Sequence, residues 1–243
     1  IAHAYLFTGT RGTGKTTCSK IFAKAVNCLD LQDGDPCGKC EVCKGIDDNS
    51  ILDVVEIDAA SNNGVDNIRS LIEETNFTPV KTKYRVYIID EVHMLSTAAF
   101  NALLKTLEEP PKHVIFILAT TEVHRLLPTI LSRCQRFDFK RITPEDINKR
   151  VTEIAELEGK KIEEAAALLI ARLADGAMRD ALSLLDQCLG SDDLITLEYV
   201  ERTAGVTGTG HLAELAKAVK DKDIKPALEK INDLYINSKD MNR

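Results

Sequence analysis

Residues 4–26, AYLFTGTRGTGKTTCSKIFAKAV, indicate the fold class of this chain. AYLFT is an apolar run typical of a β-strand, and TCSKIFAKAV has the apolar spacing of a helix. Between them, GTRGTGKT at residues 9–16 matches the phosphate-binding loop GxxxxGK followed by Ser or Thr. A strand, a glycine-rich loop and a helix in this order indicate a nucleotide-binding α/β domain.

The residue types of the loop suit phosphate binding. Its glycines let backbone N–H groups face phosphates, Lys15 reaches the β- and γ-phosphates of ATP, and the Thr16 hydroxyl is a ligand for Mg²⁺. The predicted nucleotide contacts are Gly9, Thr10, Arg11, Gly12, Thr13, Gly14, Lys15, Thr16 and Thr17.

Further short apolar runs alternate with helical patterns up to residue 141. The runs are DVVEIDA at 53–59, RVYIID at 85–90, HVIFILATT at 113–121 and RFDF at 136–139. Strands that alternate with helices are joined by crossovers and form a parallel sheet, and a nearly continuous apolar strand such as VIFILA fits a sheet covered on both faces. The first domain is therefore predicted to be α/β.

After Arg141 the pattern changes to helices alone. Four amphipathic stretches follow one another, at 143–159, 162–176, 177–190 and 196–205. Thr143 followed by Pro144 and Glu145 is a helix-start signal. We expect domains at 1–142 and 143–206, with a further helical unit beginning at 207–243.

A pair of acids ends the apolar run RVYIID. Asp90 is predicted to hold Mg²⁺ through water, and Glu91 to polarise the water that attacks the γ-phosphate. An acid pair at the end of a strand is more often only a solvated turn, but the phosphate-binding loop favours the catalytic interpretation.

Four of the seven cysteines crowd into residues 28–43, at Cys28, Cys37, Cys40 and Cys43. Four thiolates can close a tetrahedral Zn²⁺ site, and a site filled by protein ligands is structural. The alternatives are an iron–sulfur cluster and unliganded thiols. The fourth cysteine followed by proline that is typical of ferredoxins is missing here, which favours zinc.

Composition limits the class of protein. A net charge of −7 and 44% apolar residues indicate a globular chain and argue against nucleic-acid binding by overall charge. No apolar run reaches the length of a membrane span, and the start of the chain has no signal-peptide pattern, so we expect a cytoplasmic protein without membrane contact. Because Ile1 is not Met, we also expect native sequence before it.

Several motifs together resemble the gamma/tau family of the bacterial DNA polymerase III clamp loader, which belongs to the AAA+ ATPases. These are the phosphate-binding loop, the cysteine insertion, IDEVHMLSTAAFNALLKTLEEPP at 89–111, FILATTE at 116–122, ILSRCQRF at 130–137 and GAMRDALSLLDQ at 176–187. The cysteine insertion separates this family from eukaryotic and archaeal clamp-loader subunits and from RuvB-like helicases. The resemblance implies an AAA+ parallel sheet with flanking helices and a zinc-binding insertion at 28–43, then a small all-helical lid domain, then the start of a truncated helical collar domain.

The resemblance also implies roles for further residues. Thr121, or alternatively Thr120, resembles sensor 1, which reads the γ-phosphate. Arg133 resembles an arginine finger that acts in trans on the ATP site of the neighbouring subunit, and Arg179 resembles sensor 2. The family's partners are the other subunits of a hetero-pentamer assembled through the collar, the sliding clamp and primer–template DNA. Without a complete collar, and without the residues before Ile1 that help to hold adenine, we expect a monomer with an incomplete base pocket.

The expected activity is ATP binding and hydrolysis that loads the clamp onto primed DNA. The alternatives are a zinc-containing scaffold that binds nucleotide without hydrolysing it, and another AAA+ DNA motor. Arg69 and Lys105 are candidate DNA contacts. They could instead pair with Glu73 and Glu109 on their own helices, or Lys105 could hold Glu91 inactive. Most of the histidines are expected at the surface or in loops.

Overall fold

A five-stranded sheet lies at the centre of Ile1–Arg141, the first of two units in the computed structural model. Its strands are β1 (Ala4–Gly9), β2 (Val54–Asp58), β3 (Arg85–Asp90), β4 (Val114–Thr120) and β5 (Gln135–Phe139). All neighbouring strands are parallel, in the order β2-β3-β4-β1-β5. The predicted parallel α/β sheet is therefore confirmed, and the carboxyl ends of β3, β4 and β1 lie side by side at one edge.

Helices cover both faces of this sheet. They are α1 (Lys15–Asn27), α2 (Glu41–Asp47), α3 (Val65–Glu74), α4 (Thr97–Glu108) and the short α5 (Pro128–Leu131). One apolar cluster joins the sheet to α3 and α4, and a second joins its other face to α1. Every residue of β4 is buried, which explains why its sequence is apolar throughout.

The second unit begins at Ile142 and contains α6 (Pro144–Leu157), α7 (Glu164–Leu173), α8 (Met178–Cys188) and α9 (Leu197–Thr203). The Thr143 side chain caps α6 by accepting the N–H of Asp146 at 3.2 Å, as the helix-start signal predicts. Two short strands, β6 (Lys161–Ile162) and β7 (Leu194–Ile195), also pair in parallel. Strands of two residues carry no periodicity, so the sequence did not predict them.

The structure describes residues 1–190 and 193–206 and the single positions 220, 225 and 228. The predicted collar segment, 207–243, lies outside the described residues except at those three positions. Among the helices within the described part of the chain, none has the length and apolar character needed to cross a membrane.

Candidate functional site

The phosphate-binding loop connects the carboxyl end of β1 to α1. Lys15 is the first residue of α1, and its Nζ donates hydrogen bonds to the carbonyl oxygens of Gly9 and Thr10, each at 3.0 Å. No side chain caps α1 at Gly14, so the first backbone N–H groups of the helix are left for an anion. The Lys15 ammonium and the positive end of α1 therefore lie together at this loop, where both can attract an anion.

The nine predicted nucleotide contacts lie together here but differ in exposure. Thr10, Arg11 and Thr17 are exposed, Gly9, Gly12, Gly14 and Thr16 are half-buried, and Thr13 and Lys15 are buried. Burial lowers the pKa of Lys15, and the carboxylates of Glu91 and Asp90 partly oppose that shift. A bound phosphate would favour the charged ammonium in the same way.

Gly9 is required by a close approach between neighbouring strands. A Cβ atom at this position would lie 2.3 Å from the carbonyl oxygen of Phe139 in β5, which is far inside van der Waals contact. Its φ of 150° is also one that residues with a side chain rarely adopt. Gly9 therefore allows β1 and β5 to approach closely next to the phosphate-binding loop. The loop motif alone does not reveal this requirement for glycine.

Thr16 and Asp90, the two residues predicted to hold Mg²⁺, are brought together at the carboxyl end of β3. The Oγ1 of Thr16 donates to Oδ2 of Asp90 at 2.6 Å, and Oδ1 of Asp90 accepts the backbone N–H of Glu91 at 2.8 Å. Hydroxyl and carboxylate oxygens are ligands that Mg²⁺ prefers. The donor set therefore fits this ion.

Glu91 has a left-handed backbone, with φ 46° and ψ 44°. This conformation costs a residue with a side chain about 1–2 kcal/mol. Its Oε2 accepts the Oγ1 hydroxyl of Thr121 at 2.9 Å and the backbone N–H of Thr121 at 3.2 Å. The two residues come from different strand ends, so the bent backbone aims the Glu91 carboxylate across the edge of the sheet toward β4.

The alternative sensor residue, Thr120, has a different partner. It is fully buried, and its Oγ1 lies 3.0 Å from Nδ1 of His93. Thr121 is therefore the threonine that contacts Glu91. We expected most, but not all, of the histidines at the surface or in loops; His93 is an exception, because its side chain is 5% exposed and lies between Glu91 and Glu122. Its position two residues after Glu91 was the only signal in the sequence.

The four clustered cysteines converge where the chain passes from α1 to α2: Cys28, Cys37 and Cys40 lie in the connecting segment, and Cys43 lies in the first turn of α2. The Sγ atoms of Cys28, Cys37, Cys40 and Cys43 all lie within 4.8 Å of one another. Zinc–sulfur bonds of about 2.3 Å place the sulfurs of a tetrahedral site roughly 3.8 Å apart. The 3.7 Å between Sγ of Cys28 and Sγ of Cys43 matches that spacing.

Backbone groups favour thiolates in this cluster. The N–H of Cys37 lowers the pKa of Cys28, and the N–H of Leu29 lowers the pKa of Cys40 to about 6. Burial instead raises the pKa of Cys43 to about 12. A cation among the sulfurs would stabilise the Cys43 thiolate that burial disfavours, so the cluster fits a soft divalent metal.

Two protein-family models match this chain. Residues 1–143 match the model described as DNA polymerase III, delta subunit, and residues 146–191 match the ATPase lid domain of the DNA polymerase III clamp loader subunit. The chain belongs to the DNA polymerase III clamp-loader family. This confirms the resemblance that the motifs indicated.

Individual relatives are described as subunits of DNA polymerase III. Over 240 residues the chain is 55% identical to DNA polymerase III subunit tau of Bacillus subtilis (strain 168), and over 234 residues it is 42% identical to DNA polymerase III subunit tau of Escherichia coli (strain K12). These alignments cover 98% and 96% of this chain but 43% and 36% of the relatives. The chain thus spans less than half the length of these two relatives.

Solved structures agree on the fold. A Thermotoga maritima RuvB Holliday junction branch migration motor superposes with a TM-score of 0.60 at 19% identity, covering 90% of this chain and 69% of that one. This likeness confirms the AAA+ fold expected from the motifs.

Arg133, the residue that resembles an arginine finger of the family, follows α5. One guanidinium nitrogen donates to Oε1 of Glu108 at 2.6 Å, and another donates to the carbonyl oxygen of Thr129 at 2.8 Å. Its side chain is 32% exposed. Glu108 is the last residue of α4. The sequence does not single it out, because no local sequence pattern links two residues so far apart in the chain.

Arg179, the residue that resembles sensor 2, lies in the first turn of α8 in the second unit. It is exposed, and its guanidinium makes no hydrogen bond or ion pair with any described residue. A cation at the positive end of a helix is unfavourable by itself. An anionic ligand near the Arg179 guanidinium would offset this unfavourable interaction.

The candidate DNA contacts are both exposed. Arg69 pairs with Asp66 at 3.3 Å rather than with Glu73. Among the described residues the ammonium of Lys105 has no ion-pair partner, so it neither pairs with Glu109 nor holds Glu91, whose carboxylate contacts Thr121 and His93 instead.

Proposed function

We propose that this chain is the ATP-binding and ATP-hydrolysing motor subunit of a DNA polymerase III clamp loader, which loads the sliding clamp onto primed DNA. The observation that carries the proposal is the convergence of Lys15, the Thr16–Asp90 pair and Glu91 at one edge of the sheet. The names of the relatives supply the replication context.

The loop and α1 would bind the nucleotide. Backbone N–H groups at the start of α1 would hold the phosphates, and Lys15 would neutralise their charge. Thr16 and Asp90 would hold Mg²⁺, which when bound polarises the phosphate oxygens. These groups position the substrate, and positioning with charge stabilisation is most of what phosphoryl transfer requires.

Glu91 would orient the attacking water and accept its proton. Its Oε2 is anchored by Thr121, whereas Oε1 makes no hydrogen bond within the described residues and is left for the water. Thr121 would link Glu91 to the γ-phosphate. Arg133 would complete the neighbouring subunit's site, and Arg179 would contact phosphate from the lid domain.

The partners belong to the same proposal. They are the other subunits of a hetero-pentamer held by the collar, the sliding clamp and primer–template DNA, in the cytoplasm where chromosomal DNA is copied. Arg69 and Lys105 would contact the phosphate backbone. Single exposed cations give weak contacts, but one set from each subunit of a ring adds up.

The main alternative is a scaffold that binds nucleotide without hydrolysing it, and the other is a different AAA+ DNA motor. A scaffold needs no catalytic carboxylate. The strained backbone that directs Glu91 toward Thr121 therefore favours hydrolysis over a scaffold, because strain of this kind is retained where function requires it. The family of the relatives favours clamp loading over another motor.

Glu91→Gln separates hydrolysis from binding. Glutamine keeps the shape of the side chain and an oxygen for Thr121, but it cannot accept the water proton. In the assembled full-length loader we expect turnover to fall about 10²- to 10⁴-fold while ATP affinity stays within a few-fold. Turnover and nucleotide titration are measured together, with Glu109→Gln as the matched control on an exposed carboxylate. Undiminished turnover in Glu91→Gln would favour the scaffold.

We further propose that Cys28, Cys37, Cys40 and Cys43 hold one structural Zn²⁺. The fit rests on four sulfurs within 4.8 Å of one another and on backbone N–H groups that favour thiolates. With four protein ligands, no position is left for a reacting group, so the metal would only stabilise the segment between α1 and α2.

Cys40→Ser should reduce zinc from about one ion per chain and lower the thermal midpoint, because one of four thiolates is lost. ATP binding should change little, since the hydrogen bonds that Cys40 makes with described residues are to Leu29, Cys37, Cys43 and Lys44 and not to the phosphate-binding loop. Metal analysis of reduced protein and thermal unfolding provide the measurements. Cys18→Ser, at a cysteine of α1 outside the cluster, is the control. Iron in place of zinc, or equal zinc in both variants, would contradict the assignment.

A further inference from the structure

His93 lies between two loops at the carboxyl edge of the sheet. It belongs to the 3-10 turn Val92–Met94 that follows β3. Its Nδ1 is 3.0 Å from Oγ1 of Thr120 and 3.4 Å from Oε2 of Glu91, and its Nε2 is 3.2 Å from Oε1 of Glu122. One ring thus contacts the carboxylate that follows β3 and the carboxylate that follows β4.

The hydrogen-bond partners assign each ring nitrogen a role. An ionised carboxylate only accepts hydrogen bonds, so a ring nitrogen that holds Glu91 or Glu122 must carry a hydrogen. In the ring that holds both carboxylates, Nε2–H donates to Glu122 and Nδ1–H faces Oε2 of Glu91, with the Thr120 hydroxyl beside it. Glu122 is itself held, because it pairs with Arg125 at 3.0 Å and lies 3.5 Å from His124. The ring is therefore fixed on both sides.

All the hydrogen bonds and ion pairs that described residues make with the Glu91 carboxylate involve one oxygen. Oε2 accepts two hydrogen bonds from Thr121 and lies against the His93 ring, while Oε1 has no hydrogen bond within the described residues. A carboxylate fixed through one oxygen loses rotamer freedom and keeps the other oxygen in a constant direction. Fixing a catalytic group in this way lowers the entropy lost on reaching the transition state.

We propose that His93 is a positioning residue for ATP hydrolysis. Its Nδ1 side fixes the position of the Glu91 carboxylate relative to the loop that follows β4. This inference rests on the proposed function, in which Glu91 accepts the proton of the attacking water. His93 does not touch substrate in this account. It acts by restricting where the Glu91 carboxylate lies, so it should affect turnover and not ATP affinity.

Two substitutions test the contributions of the two ring nitrogens of His93 separately. His93→Asn places an amide near the position of Nδ1, next to Thr120 and Glu91, and loses the bond to Glu122. His93→Gln reaches toward the position of Nε2 and loses the Nδ1 edge. We expect His93→Gln to lower kcat about 10- to 100-fold with KM for ATP unchanged, and His93→Asn to retain most of the wild-type kcat.

The experiment uses the assembled full-length loader with clamp and primed DNA, and it measures kcat, KM, ATP affinity and thermal midpoint. His124→Asn is the matched control, because His124 is 74% exposed and lies near Glu122 but has no described contact with Glu91. It should behave as wild type. Wild-type kcat in His93→Gln would overturn the inference, and so would a parallel loss of kcat, ATP affinity and thermal stability in both His93 variants, because that pattern indicates packing. A wild-type loader that does not hydrolyse ATP would refute the proposed function itself.

Discussion

Arg133→Ala in the assembled loader should slow ATP hydrolysis at the neighbouring subunit's site about 10³- to 10⁵-fold, while ATP binding by the altered chain stays unchanged. An arginine finger neutralises charge that develops on the transferred phosphoryl group, so its loss affects the transition state and not the bound substrate. The guanidinium is partly exposed beside α5, as a group that reaches another chain must be.

The ion pair between Arg133 and Glu108 does not prevent this role. Exposed pairs contribute only about 0.2–1 kcal/mol. Arg133 could leave Glu108 at that small cost and gain a stronger contact with phosphate in a neighbouring site. Glu108 therefore holds the arginine in place without competing strongly for it.

A matched control for Arg133→Ala is Arg150→Ala, which removes another exposed arginine from an ion pair, here with Glu153 on α6. That variant should hydrolyse ATP as the wild type does. Turnover per site should also rise with protein concentration as chains associate. Rapid turnover by the isolated wild-type chain, independent of concentration, would refute action in trans.

Lys15→Ala should weaken ATP binding about 10²- to 10⁴-fold and abolish turnover with it. Lys15 is predicted to contact two phosphates, and a hydrogen bond to a charged group contributes about 1.5–3 kcal/mol, with 1.4 kcal/mol for each tenfold in affinity. The fold should be unaffected, because within the described part of the chain the ammonium donates hydrogen bonds only to carbonyl groups of the loop. Burial also lowers the pKa of Lys15, so removing its charge should not reduce stability.

The features that could be predicted from the sequence are those encoded by neighbouring residues. The phosphate-binding loop lies within a few positions, the apolar strand β4 is one continuous run, and the start of α6 is signalled by Thr143 and Pro144. Once the strands were placed in parallel, their carboxyl ends had to lie at one edge. The convergence of Lys15 and Asp90 followed from this.

The contacts that could not be predicted join residues far apart in the chain. Thr121, which follows β4, donates a hydrogen bond to Glu91, which follows β3. Glu108 at the end of α4 forms an ion pair with Arg133, which follows α5. Such pairs depend on side-chain directions that only packing determines. His93 was missed for the same reason, since a histidine two residues after an acid can face either solvent or a neighbouring loop.

ATP titration and turnover measurements on the full-length loader test whether the phosphate-binding loop binds and hydrolyses ATP. They compare wild-type chains with Lys15→Ala chains in the presence of clamp and primed DNA. Lys20→Ala, at a half-exposed lysine on the same helix that pairs with Glu56, is the control. We predict that wild-type and Lys20→Ala loaders bind and hydrolyse ATP, and that the Lys15→Ala loader binds ATP about 10²- to 10⁴-fold more weakly and does not hydrolyse it, with an unchanged thermal midpoint. Wild-type affinity and turnover in Lys15→Ala would contradict the account.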